Sequence, residues 1–141
     1  MKKIILIILF VALSNPAQAA GFKTEKDCRS FADGLMDQFL NARFQEGFNS
    51  VKKYWPIPET DIDGLVKQIQ QQWPLVTQRY GKPFAKEFVG EKRIGKSFLR
   101  YYYLHKFENH AIYWQIDFYN PSSEWEINMI NFFNNVDALY K

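Results

Sequence analysis

The last third of the chain alternates large apolar residues with polar ones. Positions 98–141 hold thirteen of the twenty-five aromatic residues. Because successive side chains of a strand point to opposite faces of a sheet, this period of two predicts half-buried antiparallel strands. The predicted strands are 84–94, 97–107, 111–119 and 125–134. Gly90 marks a bulge or bend in the first strand, and the short connections indicate an antiparallel meander.

A first amphipathic helix is predicted from Thr24 to about Lys53. Apolar residues in this stretch recur every three or four positions, which places them on one stripe of a helix. Thr24 and Asp27 have the spacing of a capping box, and Gly47 predicts a loosened turn. Cys28, the sole cysteine, lies on the apolar stripe. We therefore expect a buried small hydrophobe rather than a reactive thiol.

A second helix is predicted from Thr60 to Tyr80. The segment Tyr54–Glu59 separates the two helices, because its two prolines cannot continue a helix. Pro74 predicts a kink or a fresh start within the second helix, and Gly81 is placed just past its end. Helices followed by a meander predict an α+β domain, in which N-terminal helices pack on a curved, mostly four-stranded antiparallel sheet.

The chain opens with the three parts of a secretory signal peptide. Two lysines precede an apolar run of about ten residues, and an Ala-Gln-Ala cleavage pattern follows. We predict cleavage near Ala19 or Ala20, so that residues 1–19 are the signal peptide and residues 20–141 form a single domain. A membrane span needs about twenty apolar residues, so we expect no span after cleavage. The short leader favours secretion into a bacterial periplasm.

Charge and composition restrict the partners. The predicted leader carries two of the 18 basic residues, so the net charge falls from +3 to about +1 on cleavage. With no strong basic run, the sequence argues against nucleic acid as a partner. It contains two histidines, and no cysteine or acidic pattern at ligand spacing accompanies them. We therefore expect no metal site and no cofactor.

Three passages carry a resemblance to a known superfamily. They are Trp73 to Tyr80-Gly81, Ile112-x-Trp114-x-Ile116-x-Phe118-Tyr119, and Trp125-x-Ile127-x-x-Ile130. Their arrangement resembles the nuclear transport factor two-like superfamily of cone-shaped, cystatin-like α+β domains, and most of all its small secreted bacterial members of unassigned function. The resemblance covers nearly the whole mature chain and implies a fold rather than an activity. Because this superfold hosts isomerases, dehydratases, scaffolds and binding modules, function must be argued from the site.

Alternation divides each strand into two faces. In the second strand one face holds Leu99, Tyr101, Tyr103, His105 and Phe107. In the third strand one face holds Tyr113, Gln115, Asp117 and Tyr119, and it lies opposite the apolar face that contains Trp114. In the last strand Trp125, Ile127, Met129 and Phe133 oppose Glu126, Asn128, Ile130 and Phe132. We expect the Trp114 face to pack on the helices.

Asp117 is the main catalytic candidate. Isomerases of the resembling superfamily use a carboxylate together with tyrosine or acid donors, which implies Asp117 as a general base with Tyr101, Tyr103 or Tyr113 as donors. His105 is a weaker candidate base. The predicted pocket residues are Tyr101, Tyr103, His105, Tyr113, Gln115 and Tyr119. We favour the simpler interpretation that Asp117 lies on the solvent face, as the polar partner of an alternating strand.

Three functions are compatible with these features. We expect a secreted, non-enzymatic binding module for a small apolar ligand or a protein partner, with the sheet as a candidate homodimer interface. An alternative is an isomerase- or lyase-type enzyme with Asp117 as general base. Another is a periplasmic inhibitor or immunity-type protein that presents the loop Tyr54–Glu59. An enzyme requires Asp117 in a closed pocket, whereas an interaction protein requires an exposed aromatic patch.

Overall fold

A computed structural model describes residues 20–141, and the predicted signal peptide lies outside the described residues. Helices α1, α2 and α3 span Glu25–Leu40, Phe44–Val51 and Glu59–Tyr80. Strands β1 to β4 span Pro83–Ile94, Phe98–Phe107, Ala111–Tyr119 and Glu126–Phe133. Short 3-10 segments cover Lys52–Tyr54 and Val136–Tyr140. The strands pair antiparallel in the order β1-β2-β3-β4, which confirms the α+β class and the meander.

The predicted first helix is in fact two helices, because the chain turns over residues 41–43. Ala42 has a φ of 56°, a left-handed conformation that an α-helix does not accept. The side-chain amide of Asn41 donates to the carbonyl oxygen of Asp37 at 2.9 Å, which satisfies a group that the interrupted helix leaves open. The prediction of one continuous helix is wrong because the apolar spacing runs on across this turn.

The capping box that begins α1 is confirmed: Asp27 N donates to Thr24 Oγ1 at 3.1 Å, and Thr24 N donates to Asp27 Oδ2 at 3.2 Å.

Helices α1 and α2 pack closely against each other at Gly47, which lies inside α2. A Cβ at this position would stand 2.8 Å from Cε1 of Phe39 and 3.2 Å from Cδ1 of Leu35. Gly47 therefore permits the close approach of α2 to α1.

Helix α3 starts differently from its prediction. It begins at Glu59, and Pro58 before it is the N-cap, whose ψ of 136° lies outside the helical region. The prediction that Thr60 opens the helix is therefore wrong. The helix also runs through Pro74 without a fresh start. It ends at Tyr80, and Gly81 lies just past its end, as predicted, with a φ of 88° that favours glycine.

The helices cover one face of the sheet, which we call the inner face. In β2 and β3 its members are all buried: Leu99, Tyr101, Tyr103, His105, Phe107, Ile112, Trp114, Ile116 and Phe118. Trp114 lies at the centre of this layer. Its ring centroid is 4.3 Å from that of Phe39 in α1 and 5.1 Å from that of Phe132 in β4. The expectation that the Trp114 face packs on the helices is confirmed, and we call the opposite side the outer face.

Both edge strands contain bulges. In β1 the register shifts between Phe88 and Gly90, which confirms the irregularity predicted there. In β4, Ile127 pairs with Phe118 and Met129 pairs with Asp117, which leaves Asn128 as an extra residue. Beyond this bulge, each residue of β4 lies on the face opposite to the one that strict alternation assigns to it. The predicted grouping of β4 residues is therefore wrong. The inner-face residues of β4 are Ile127, Ile130 and Phe132.

Candidate functional site

Two of the predicted pocket tyrosines lie on the inner face and bind α1. The Tyr103 hydroxyl donates to Asp33 Oδ1 at 2.6 Å, and the Tyr101 hydroxyl donates to the carbonyl oxygen of Glu25 at 3.2 Å. Burial raises the pKa of both tyrosines, that of Tyr101 to about 12. Asp117 lies on the outer face, opposite to these hydroxyls. The predicted donor set of Tyr101 or Tyr103 with Asp117 is therefore not assembled.

His105 is a neutral side chain enclosed by aromatic rings on the same inner face. The indole Nε1 of Trp114 donates to His105 Nδ1 at 3.2 Å, which places the ring proton on Nε2. The ring centroids of Phe107 and Trp73 lie 4.8 and 5.2 Å from that of His105. Burial lowers the pKa of His105 to about 4. Because the side chain has no exposed surface, it cannot reach a ligand as a base in this arrangement.

The remaining four predicted residues share the outer face. They are Tyr113, Gln115, Asp117 and Tyr119. Arg100 approaches Asp117 from the neighbouring strand, and its Nε and Nη2 donate to Oδ1 and Oδ2, both at 2.8 Å. With its amide oriented to satisfy both groups, Gln115 accepts from the same two nitrogens at 2.9 and 2.8 Å. These hydrogen bonds to Asp117 raise the pKa of Arg100 above its usual range.

Asp117 is therefore a paired carboxylate. Its side chain is 9% exposed, whereas that of Arg100 is 40% exposed. The residue lies on the face away from the helices, as the simpler interpretation supposed, but neighbouring side chains shield it from water. Both carboxylate oxygens already accept from Arg100. A general base needs an oxygen directed at the proton it removes, and both oxygens of Asp117 are instead directed at Arg100.

A cavity of about 310 Å³ opens next to this ion pair, at the end of the sheet where β1 turns into β2. We call it the hairpin cavity. Its lining residues are Lys92, Arg93, Ile94, Phe98, Leu99, Arg100, Asp117 and Asn128. The volume lies at the lower end of the roughly 300–1,000 Å³ typical of small-molecule sites.

The strand register explains why the cavity has these walls. Ile94 pairs with Phe98, and Lys92 pairs with Arg100, which in turn pairs with Asp117. Paired residues share a face, so apolar and charged side chains meet on the outer face at this end of the sheet. Bulges often redirect a side chain toward a binding site. The bulge in β4 brings Asn128 to the cavity, next to the partner of Asp117.

Aromatic rings flank the ion pair on the outer face. Phe98 and Tyr119 stack with a centroid distance of 4.7 Å at the cavity end. Tyr113 stacks on Phe133 at 5.2 Å, and Tyr102 meets Tyr113 at 6.0 Å. Apart from Tyr113 these rings are partly exposed. The outer face thus combines these aromatic rings with the Arg100–Asp117 ion pair.

Most of the cavity residues do not stand out in the sequence. Ile94, Phe98 and Lys92 are ordinary strand positions, and Arg100 is recognisable only once its partner is known. The short turn at Gly95-Lys96 is the one signal that could identify them, because hairpin register follows from the turn. No sequence signal marks the bulge at Asn128.

The other predicted features have structural roles. Trp55 in the loop Tyr54–Glu59 is buried, and Tyr54 stacks on Phe22 at 4.2 Å. Only Ile57 among the large apolar residues of this loop is exposed. Cys28 is fully buried, as expected, and burial raises the pKa of its thiol to about 12.

Within residues 20–141, no group of three or more His, Cys, Asp or Glu side chains is arranged to hold a metal ion. Over the same residues, every helix is too short or too polar to cross a membrane.

A scan against protein-family models found no matching family, and searches of curated proteins and of solved structures found no match either. The α+β class therefore follows from the element order and sheet topology of this chain alone. The resemblance to the nuclear transport factor two-like superfamily stays a prediction.

Proposed function

We propose that the chain is a secreted, non-enzymatic binding domain that takes a small, largely apolar ligand in the hairpin cavity. The observation that carries the proposal is the composition of this cavity. Ile94, Phe98 and Leu99 line it together with five charged or polar residues. Small-molecule sites typically combine apolar walls with a few polar groups that orient the ligand. The proposed periplasmic location rests on the leader pattern.

A ligand between the sheet and the helices, as the cone-shaped resemblance implies, is less well supported. The inner face is filled by large side chains, of which Trp114, Phe39 and Phe48 are fully buried. Phe39 lies between the other two, with centroid distances of 4.3 Å to Trp114 and 5.1 Å to Phe48. A ligand there would have to displace close-packed rings, which costs several kcal/mol for a single large side chain.

An isomerase- or lyase-type reaction is also less well supported. Asp117 is engaged by Arg100 through both oxygens. Tyr113, the one predicted donor on the same face, is itself buried and stacked on Phe133. The outer face thus favours holding a ligand over moving a proton.

The proposal can be tested with N-phenyl-1-naphthylamine, a neutral dye whose fluorescence rises in apolar surroundings. The wild-type protein should bind the dye saturably at one site. Ile94→Ser should weaken binding roughly tenfold, the change produced by losing about 1.4 kcal/mol of apolar contact. Leu75→Ser is the matched control, because Leu75 on α3 is 67% exposed and Ile94 is 72% exposed. Absence of saturable binding, or equal losses in the two variants, would contradict the proposal.

Protein binding through the outer face is the second candidate. The observation in its favour is the partly exposed aromatic surface that includes Phe98, Tyr102 and Tyr119. A homodimer through this face would show concentration-dependent sedimentation, and Tyr119→Lys should return the protein to a monomer. A monomer at all concentrations would exclude the homodimer and leave the small ligand as the better explanation.

A further inference from the structure

A second recess lies at the opposite end of the sheet from the hairpin cavity, where three parts of the chain meet. They are the end of α3, the turn between β2 and β3, and the segment that follows β4. The recess has a volume of about 520 Å³, and we call it the turn groove. Its lining residues are Arg79, Tyr80, Asn109, His110, Asn134 and Asn135. None of these residues lines the hairpin cavity, so a ligand here would be a second one.

Hydrogen bonds between the three parts hold the walls of the turn groove in place. Asn109 N donates to the carbonyl oxygen of Tyr80 at 2.9 Å, which joins the β2–β3 turn to the end of α3. His110 joins the third wall, because its Nε2 lies 3.1 Å from the backbone carbonyl oxygen of Asn134. A ligand would therefore meet a groove that is already formed, and would have little ordering entropy to overcome.

Three asparagine side chains offer hydrogen bonds in this groove. Those of Asn109 and Asn134 are exposed and make no hydrogen bond to another side chain or to the backbone within residues 20–141. Asn135 Oδ1 accepts from Asp137 N at 3.2 Å, which leaves the amide nitrogen of Asn135 to donate elsewhere. An amide group both donates and accepts. The groove therefore presents donors and acceptors side by side.

This lining matches one class of ligand better than others. None of the six lining residues carries a carboxylate, so a cation would find no opposite charge. An apolar molecule would cover the amide groups without replacing their hydrogen bonds to water, which costs free energy for each group. A simple anion would use the donors and leave the amide oxygens unpaired. A hydroxyl group donates and accepts as an amide does, so a ligand rich in hydroxyls fits the groove best.

Two aromatic rings add an apolar surface to these amides. The rings of Tyr80 and His110 lie 4.7 Å apart between centroids, and both side chains are partly exposed. The guanidinium of Arg79 lies 5.5 Å from the centroid of the Tyr80 ring. A sugar carries C–H groups on the faces of its ring and hydroxyls around the edge. It can therefore pack on aromatic side chains while its hydroxyls meet polar groups.

We propose that the turn groove binds a neutral saccharide. The three asparagine amides hydrogen-bond its hydroxyl groups, Arg79 donates to further oxygens, and the Tyr80–His110 pair packs on a sugar ring. This site goes beyond the proposed function, because it takes a different ligand at the other end of the sheet. Four of the six lining residues are exposed, so the ligand stays partly hydrated and we expect millimolar affinity.

A ¹H–¹⁵N NMR titration with three neutral disaccharides tests the proposal. They are N,N′-diacetylchitobiose, maltose and lactose, which differ in linkage and substituents. At least one of them should shift the side-chain amide signals of Asn109, Asn134 and Asn135 saturably. Asn134→Ala should weaken this binding by about fivefold, the effect of losing one hydrogen bond. Asn49→Ala is the matched control and should change nothing, because Asn49 is an exposed asparagine on α2 that lines neither site.

Absence of saturable shifts with all three disaccharides would overturn the proposal, and so would equal losses in the two asparagine variants. Inorganic phosphate at matched ionic strength should not displace the bound disaccharide, and displacement would make the ligand an anion instead. N-phenyl-1-naphthylamine should bind equally well with and without the disaccharide. Competition between the two would place them in one site and overturn the second site. Failure of the dye alone to bind would contradict the proposed function and leave the saccharide site standing.

Discussion

Replacement of Asp117 by asparagine should destabilise the folded protein. A solvated aspartate on an alternating strand would tolerate this change with almost no effect. In the structure, Asp117 is nearly buried and accepts two hydrogen bonds of 2.8 Å from Arg100. Asparagine keeps one acceptor and loses the charge, so Arg100 is left partly unpaired.

The magnitude follows from the burial of the two partners. A hydrogen bond to a charged group contributes about 1.5–3 kcal/mol in mutational series. Water recovers part of this loss, because the Arg100 side chain is 40% exposed. We expect a loss of about 1–2 kcal/mol, which lowers the melting temperature by about 3–10 °C for a domain of this length.

Thermal melts followed by circular dichroism at pH 7 measure this loss, and a double-mutant cycle assigns it to the pair. Asp117→Asn, Arg100→Met and the double variant should give a coupling energy of about 1–2 kcal/mol. If Asp117→Asn shifts the melting temperature by less than about 1 °C and the coupling is zero, the ion pair does not exist as described.

Three further predictions concern the inner core. Urea unfolding should show that the free energy of unfolding falls by up to about 3 kcal/mol as the pH is lowered from 6.5 toward 4. The cause is His105, because its folded pKa of about 4 lies below the unfolded value of about 6.5. His105→Gln should remove this part of the pH dependence, and an unchanged slope would refute it. Gly47→Ala should lower stability by about 1–3 kcal/mol in the same assay, because its Cβ would meet the buried ring of Phe39 at 2.8 Å. Gly64→Ala, whose Cβ meets nothing within 4 Å, should instead raise stability by about 0.5–1 kcal/mol; similar effects of the two would contradict the close packing. The Cys28 thiol should react with a disulfide reagent only after unfolding, and fast reaction of the native protein would show that it is accessible.

The element pattern could be predicted from the sequence because the helices repeat apolar residues every three or four positions and strands β2 and β3 alternate over many residues. Strand β3 has the predicted bounds Ala111–Tyr119, and the Trp114 face packs on the helices. These features depend on local periodicity, which can be read directly from the sequence. They needed no information on which residues meet across the sheet.

Two features of the fold could not be predicted in this way. The turn at Asn41 and Ala42 interrupts a stripe of apolar residues that continues on both sides, so periodicity alone does not reveal it. The bulge at Asn128 reverses the faces of the second half of β4, although its sequence reads as a regular strand. Both are changes in backbone conformation at one or two residues, and tertiary packing stabilises them.

The candidate site was only partly predictable for the same reason. Asp117, Gln115, Tyr113 and Tyr119 do share one face, as alternation requires. Which face of β2 joins them depends on the register, and the register brings Arg100 to Asp117 in place of the predicted tyrosines.

The most direct test of binding in the hairpin cavity is a two-dimensional ¹H–¹⁵N NMR titration with N-phenyl-1-naphthylamine. The side-chain signals of Asn128 and of Arg100 Nε should shift as the dye saturates, together with the backbone amide of Phe98. The indole Nε1 signal of Trp114, on the inner face, should stay in place. A shift of the Trp114 indole signal without any change at Asn128 would place the ligand between sheet and helices and contradict the account.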